Sequence, residues 1–162
     1  MSIRPATLAW TAAAATATAV AGSIATDPSS RWYRSLRKPA WQPPSAAFPV
    51  VWTTLYADLA AASAAALGGL EEQSRAAERR RYRRALAANL VLNAGWSWLF
   101  FRSRRPWVAA AECAVLAASS ADLVRRTAKV SPHAGAALAP YALWCGFATV
   151  LTTAIARLNS RR

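Results

Sequence analysis

Hydrophobic positions gather into five long runs, at residues 8–25, 47–69, 85–101, 107–124 and 134–156. Each is 17 to 23 residues long, close to the ~20 that a helix needs to cross the hydrocarbon core of a bilayer. No strand-like alternation of apolar and polar residues survives inspection. A soluble helical bundle would carry a wide polar stripe along every helix, and the first, third and fifth runs have none. The pattern predicts an all-α membrane protein, one domain over residues 1–162, folded as a bundle of five transmembrane helices. Arg4 precedes the first run as it would in a signal peptide. That run is longer than the usual ~7–15-residue core of such a peptide and four similar runs follow it, so it reads as a retained helix.

The breaks between runs sharpen the boundaries. Gly68-Gly69 reads as a helix stop. Residues 71–84 hold six Arg and three Glu and read as a charged interfacial segment, either a helix extension or a loop. Arg102–Arg105 forms a short basic turn, and Pro106 suits the first position of the next helix. Residues 125–133 form a link containing Ser131-Pro132, and Pro140 lies inside the fifth run. The densest stretch is 32–56, which holds three of the eight Trp, two of the four Tyr and four of the nine Pro. Trp and Tyr favour the headgroup level of a membrane, and Pro stiffens a loop without needing an amide donor. Loop 27–46 is therefore expected to be a stiff loop at a membrane surface. Trp10, Trp98 and Trp107 read as interfacial or lipid-facing anchors.

Composition modifies this picture only slightly. The mean hydropathy, +0.15, is low for a membrane protein because Ala, a weak hydrophobe, dominates the apolar runs. The formal charge of +13 raises nucleic acid as a partner. The cations lie in short segments between membrane-length runs, however, and no nucleic-acid motif occurs, so lipid headgroups account for them better. Orientation is not settled by the charges. Arg4, six Arg of the second break, Arg125, Arg126 and Lys129 put ten cations on one side. Arg31, Arg34, Arg37, Lys38, Arg102, Arg104, Arg105, Arg157, Arg161 and Arg162 put ten on the other. An Ala- and Arg-rich composition suggests a GC-rich bacterial source and hence a plasma membrane.

Catalytic and metal chemistry find little support. His133 is the one histidine, Cys113 and Cys145 each sit within an apolar run as buried free thiols, and no HExxH, CxxC, GxGxxG or Walker pattern occurs. Asp58, Glu112 and Asp122 lie in or near apolar runs without the spacing of a metal site. No acid–base pair or nucleophile constellation is visible, and no cofactor is obligatory. What the residues do offer is aromatic stripes. Trp52 and Tyr56 are spaced i, i+4; Asn93, Trp96 and Phe100 are spaced i, i+3, i+7; Trp144, Phe147, Ala148 and Leu151 are spaced i, i+3, i+4, i+7. Each set shares one helix face. Such stripes suit either ordinary packing or a flat apolar slot with a small residue, Ala148, leaving room for a ring.

Particular motifs bear on that choice. Trp32-Tyr33-x-x-Leu36-x-Lys38-Pro39-x-Trp41-x-Pro43-Pro44 is followed by Val51-Trp52-x-x-Leu55-Tyr56. Further on come Leu92-Asn93, Trp96, Phe100-Phe101, Arg104-Arg105-Pro106 to Glu112, Val130-Ser131-Pro132, Pro140-Tyr141-x-x-Trp144-x-x-Phe147-Ala148 and Leu158-Asn159. Taken in order over essentially the whole chain, these resemble the tryptophan-rich sensory protein / peripheral benzodiazepine receptor family, also called the translocator protein family. The resemblance implies a five-helix membrane bundle, often a homodimer, that binds porphyrins such as protoporphyrin IX or haem, and other hydrophobic ligands. It places Trp52 and Trp144 on the family's pocket tryptophans and loop 27–46, with Tyr33 and Trp41, over the pocket. The expected ligand-binding set is Tyr33, Trp41, Trp52, Tyr56, Asn93, Trp96, Phe100, Trp144, Phe147, Ala148 and Leu151. Arg34, Arg37 and Lys38 in the lid are candidates to meet propionates or headgroups. The expected role is a receptor or sensor. Light-dependent porphyrin breakdown using Trp52 and Trp144, and transport of tetrapyrroles or sterol-like ligands, are the alternatives. Two departures stand out. Leu151-Thr152 replaces the family's usual Leu-Asn, and no Tyr lies between Val150 and Arg157, where a proposed sterol motif would need one.

Overall fold

The computed structural model describes residues 4–160. Arg161 and Arg162, part of the charge comparison above, lie outside the described residues. The described residues form helices and connecting turns with no strand: α1 (Pro5–Ala25), a short α2 (Arg31–Ser35), α3 (Ala47–Glu72), α4 (Ala76–Ser97), a π-helical turn (Trp98–Arg102), α5 (Pro106–Ala128) and α6 (Pro132–Asn159). Helix starts follow local chemistry. Pro opens α1, α5 and α6, where its missing N–H costs nothing and its fixed φ suits a first turn. Ser30 and Ser131 cap α2 and α6 by accepting from the amides of Tyr33 and Ala134.

Four helices, α1, α3, α5 and α6, are long and apolar enough to cross a membrane. The third predicted run does not qualify on that criterion. Its helix, α4, begins at Ala76, so residues 76–84 of the charged segment form the first half of the same helix, while Glu71 and Glu72 end α3. That half is held by ion pairs, Arg75 with Glu78 and Arg79 with Glu71. Glu71 also meets Arg4, which joins the start of α1 to the end of α3.

Two boundaries differ from expectation. Gly68-Gly69 does not end a helix: both glycines are buried inside α3, which runs on to Glu72. The chain turns instead at Ser74, in the left-handed region with φ 55°, and the Arg75 amide reaches back to the Leu70 carbonyl at 2.9 Å. A non-glycine residue here does what a glycine usually does at a helix end. The link at 125–133 is also shorter than predicted, because Arg125 and Arg126 lie in the last turn of α5. Pro140 is accommodated within a continuous α6.

The surface is apolar as well as the core, where Leu59, Leu67, Leu123 and Leu138 are buried. Large aliphatic side chains face outward, Val91 at 72% and Leu143 at 74% exposure, whereas Ser63, Asn89, Ser120 and Thr127 are buried. That is the arrangement a bilayer favours, since lipid tails solvate Val and Leu while polar groups must find partners inside. Trp10, Trp98 and Trp107 are all partly exposed, as anchors require. Trp10 stacks under Arg83 at 4.9 Å, and Trp98 Nε1 donates to the Ala21 carbonyl.

Helices α5 and α6 approach tightly where they are joined. A Cβ added at Gly135 would sit 2.5 Å from Ala128 Cβ and 2.6 Å from its Cα. Backbone on the far side cannot swing away, so Gly135→Ala is expected to lower stability by about 1–3 kcal/mol, the usual cost of overpacking. A thermal melt in detergent checks this; an unchanged midpoint would show that the α5–α6 turn yields freely.

Candidate functional site

A cavity of about 480 Å³ opens between α1, α3, α4 and α6 beneath the lid. This falls in the ~300–1,000 Å³ range of small-molecule pockets. Two aromatic pairs form its walls. From α3, Trp52 tilts against Tyr56 with ring centroids 5.6 Å apart. From α4 and the π-helical turn, Trp96 stacks on Phe100 at 5.5 Å and 14°. The π-helical turn widens the helix by one residue, with Ser103 N–H reaching the Trp98 carbonyl at 2.9 Å. It brings Phe100 and Phe101 together on the cavity side, where both line the wall.

The lid is docked by rings and tethered by polar groups. Trp32 and Tyr33 meet Phe100 edge-on at 5.6 and 6.3 Å. Asn159 at the end of α6 accepts from the Arg37 amide at 3.0 Å and donates to the Arg37 carbonyl at 2.9 Å. At the hinge, Ser29 donates its hydroxyl and its amide to Asp27, which holds the Asp27 carboxyl below its ordinary range. Lys38 is not aimed at the cavity: its ammonium donates to the Tyr33 carbonyl at 2.8 Å and sits 4.2 Å over the Tyr33 ring. It staples the lid instead of meeting a ligand.

Seven of the eleven expected site residues line the cavity: Tyr33, Trp52, Tyr56, Asn93, Trp96, Phe100 and Leu151. Trp41, Trp144, Phe147 and Ala148 are not in its wall. The first three form an adjoining aromatic group, Trp41 against Phe147 at 5.9 Å and Trp144 against Phe147 at 5.1 Å. Phe48, packed on Trp144 at 6.0 Å, itself lines the cavity. The sequence reading missed the α1 side of the cavity, Ala19, Gly22, Ser23 and Thr26. Its signal is the small-residue spacing Thr11, Ala15, Thr18, Gly22, Ala25, all buried. Small side chains there let α1 approach α4, with Ser97 Oγ 3.4 Å from where a Gly22 Cβ would be. Gln42, Phe48 and Thr152 were likewise not in the expected set and line the cavity.

Polar groups at the cavity fall into two kinds. Trp96 Nε1 and Gln42 Oε1, a donor and an acceptor on lining residues, are buried without a partner among the described residues. Asn93, by contrast, is fully engaged in a chain of hydrogen bonds that crosses the bundle. Tyr56 Oη donates to Asn93 Oδ1, Asn93 Nδ2 donates to Tyr141 Oη at 3.0 Å, and Tyr141 Oη donates to Asn89 Oδ1 at 2.6 Å. Asn89 Nδ2 donates to Ser120 Oγ at 3.0 Å, and Ser120 Oγ donates to the Leu116 carbonyl at 2.8 Å. The carbonyl can only accept, so it sets the direction of every bond before it. The acids lie elsewhere. Asp58 and Glu112 do not line the cavity and have buried carboxylate oxygens without a partner among the described residues. Asp122 pairs with Arg125 and Arg126.

The cavity is thus an aromatic slot, walled by Trp52 and Tyr56 on one side and by Trp96 and Phe100 on the other. Comparison with known proteins agrees with the motifs. Residues 9–158 match the model of the TspO/MBR family. The tryptophan-rich protein TspO of Chlorobaculum tepidum is 35% identical over 140 residues, 86% of this chain and 87% of that protein. The tryptophan-rich sensory protein of Cereibacter sphaeroides is 33% identical, over 81% of this chain and 78% of its own. The human translocator protein is 32% identical, over 80% of this chain and 75% of its own. With the family's motifs in order and outward-facing aliphatic helices around an aromatic cavity, this chain is a multi-pass membrane protein and belongs to the TspO/MBR family.

Proposed function

We propose that the chain is a membrane receptor or sensor whose cavity binds a flat hydrophobic tetrapyrrole, with protoporphyrin IX or haem as the leading ligands. One observation carries the reading: two aromatic pairs, Trp52 with Tyr56 and Trp96 with Phe100, wall a single cavity. A planar macrocycle supplies large apolar faces for those rings. The names of the relatives, sensory protein and translocator protein, favour sensing or movement of a ligand over its turnover.

The same proposal includes a fifth span. From Ala76 to Arg102, α4 and the π-helical turn are continuous. At about 1.5 Å per residue, the apolar part from Leu86 to Phe101 covers roughly 24 Å. That is a little less than the ~30 Å hydrocarbon core, a gap that snorkelling arginines on the first half of α4 can close. Pairing with a second copy, which the resemblance implies, belongs to the proposal too and is tested by light scattering of the purified protein.

The ligand is tested by titrating protoporphyrin IX into the purified protein. Quenching of tryptophan fluorescence is expected to saturate near one ligand per chain, because Trp52 and Trp96 both face the cavity. Quenching that rises without saturation, as for partition into the micelle, would refute the proposal.

A further inference from the structure

At the end of the bundle away from the lid lies a second cavity, of about 320 Å³, between the α3–α4 turn and the end of α5. Five cations line it: Arg75, Arg81, Arg125, Arg126 and Lys129. Against them stand two carboxylates, Glu78 in the wall, which clasps Arg75 at 2.7 Å, and Asp122, shared by Arg125 and Arg126. Arg81 and Lys129 are exposed and have no ion pair among the described residues. The cavity therefore has a surplus of three positive charges, two of them on side chains free to turn toward a ligand. Its remaining wall is apolar, with Leu70, Val130 and the ring of Tyr82, whose hydroxyl is committed to Ser63 and Thr127.

We propose that this cavity is a binding site for the phosphate headgroup of an anionic phospholipid. Guanidinium groups bind phosphate through paired N–H donors, and ammonium adds a point charge. Location selects lipid over a soluble polyanion. The cavity sits where α3 and α5, two helices fit to cross a bilayer, reach their ends, so a phosphate held there has its acyl chains beside the outward-facing aliphatic side chains. Trp10 under Arg83 marks the same end as headgroup level. The site rests on the membrane placement alone and stands or falls independently of tetrapyrrole binding.

Native mass spectrometry from mixed micelles of phosphatidylglycerol and phosphatidylcholine tests it. The wild-type protein is expected to retain phosphatidylglycerol in preference to phosphatidylcholine. Arg81→Gln with Lys129→Gln is expected to weaken that retention about thirty-fold, at about 1 kcal/mol per cation removed. Neither side chain makes an ion pair, so the double variant keeps the fold, and an unshifted thermal melt confirms it. Glu78→Gln, which removes a negative charge from the wall, is expected to strengthen retention. Arg31→Gln with Arg34→Gln at the lid end is expected to leave it unchanged. Equal retention of the two lipids, full retention by the Arg81/Lys129 variant, or equal loss in the lid-end variant would each overturn the proposal. Displacement of phosphatidylglycerol by millimolar inorganic phosphate, with an equal thermal shift from phosphate alone, would assign the site to a soluble phosphate and overturn the lipid reading.

Discussion

Trp52→Ala combined with Trp96→Ala is expected to weaken protoporphyrin IX binding by about 30-fold or more, while Trp10→Ala leaves it within about two-fold. An aromatic side chain stacked on a planar ring is worth roughly 1–3 kcal/mol on truncation to Ala, so two lost walls correspond to roughly one to four decades in Kd. The two tryptophans come from different helices and each already packs on a neighbour, Trp52 tilted against Tyr56 and Trp96 stacked on Phe100. They are therefore held in place before a ligand arrives, and little ordering of the site has to accompany binding. Trp10 lies near the opposite end of the bundle beneath Arg83 and serves as the control for unspecific loss of tryptophan. Trp144→Ala separates the cavity seen here from the sequence reading. Trp144 stands behind Phe48, and its loss is expected to cost less than ten-fold. Isothermal titration in one detergent gives all four affinities. A Trp52/Trp96 variant that binds like wild type, or a Trp144 variant that loses more than it does, would place the ligand elsewhere.

The helices were legible because a hydrophobic run of membrane length has few other solutions. The runs at 8–25, 47–69, 107–124 and 134–156 each lie within one helix, lengthened at the start where Pro opens α1, α5 and α6 and at the end in α3, α5 and α6. The third run was half legible. Its apolar residues were plain, but its helix begins nine residues earlier, among charges whose i, i+3 pairing, Arg75 with Glu78, supports a helix as well as it suits a loop. The π-helical turn left no trace in the periodicity, since one inserted residue at the end of a run changes no hydrophobic count. The stripes Trp52–Tyr56 and Asn93–Trp96–Phe100 reached the cavity as helical spacing required. On α6 only Leu151 of the stripe did. Trp144 lies about 10 Å along the axis from Leu151, at the level where Phe48 fills the space. Periodicity reports the direction of a side chain and not what a neighbouring helix places in front of it. The direction of the Asn89–Tyr141–Asn93 chain was beyond the sequence for the same reason, as it depends on four helices and one backbone carbonyl.

Asn89→Leu is expected to destabilise the protein by about 2–5 kcal/mol, the largest loss from any single substitution considered. The side chain is fully buried and makes interhelical hydrogen bonds to three groups: Tyr141 on α6, and Ser119 and Ser120 on α5. Interhelical bonds in membrane proteins are worth about 0.6 kcal/mol on average and up to about 1.7. Three of them lost from an apolar interior give that range. Leu keeps the branching and heavy-atom count of Asn but is bulkier, so no cavity opens and overpacking adds to the loss of the polar bonds. Tyr141→Phe is expected to cost less, about 1–3 kcal/mol, since it removes one hydroxyl and keeps the ring. The consequence for the site follows from bond direction. With the Leu116 carbonyl at one end, Tyr141 must accept from Asn93, Asn93 must accept from Tyr56, and the Tyr56 hydroxyl has only lone pairs left to offer a ligand. Once Asn89 is gone the Tyr141 hydroxyl can turn toward Asn93, the amide can reverse, and Tyr56 can donate. Asn89→Leu is therefore expected to shift ligand preference from those that present N–H groups toward those that present acceptors, with a free-base porphyrin losing affinity relative to its metal complex. Thermal melts and paired titrations of the two porphyrins measure both effects. A variant that melts with the wild type would show that the buried chain of bonds adds nothing to the fold. One that melts early yet keeps the porphyrin ratio would confine Asn89 to stability and leave the polarity of Tyr56 to some other group.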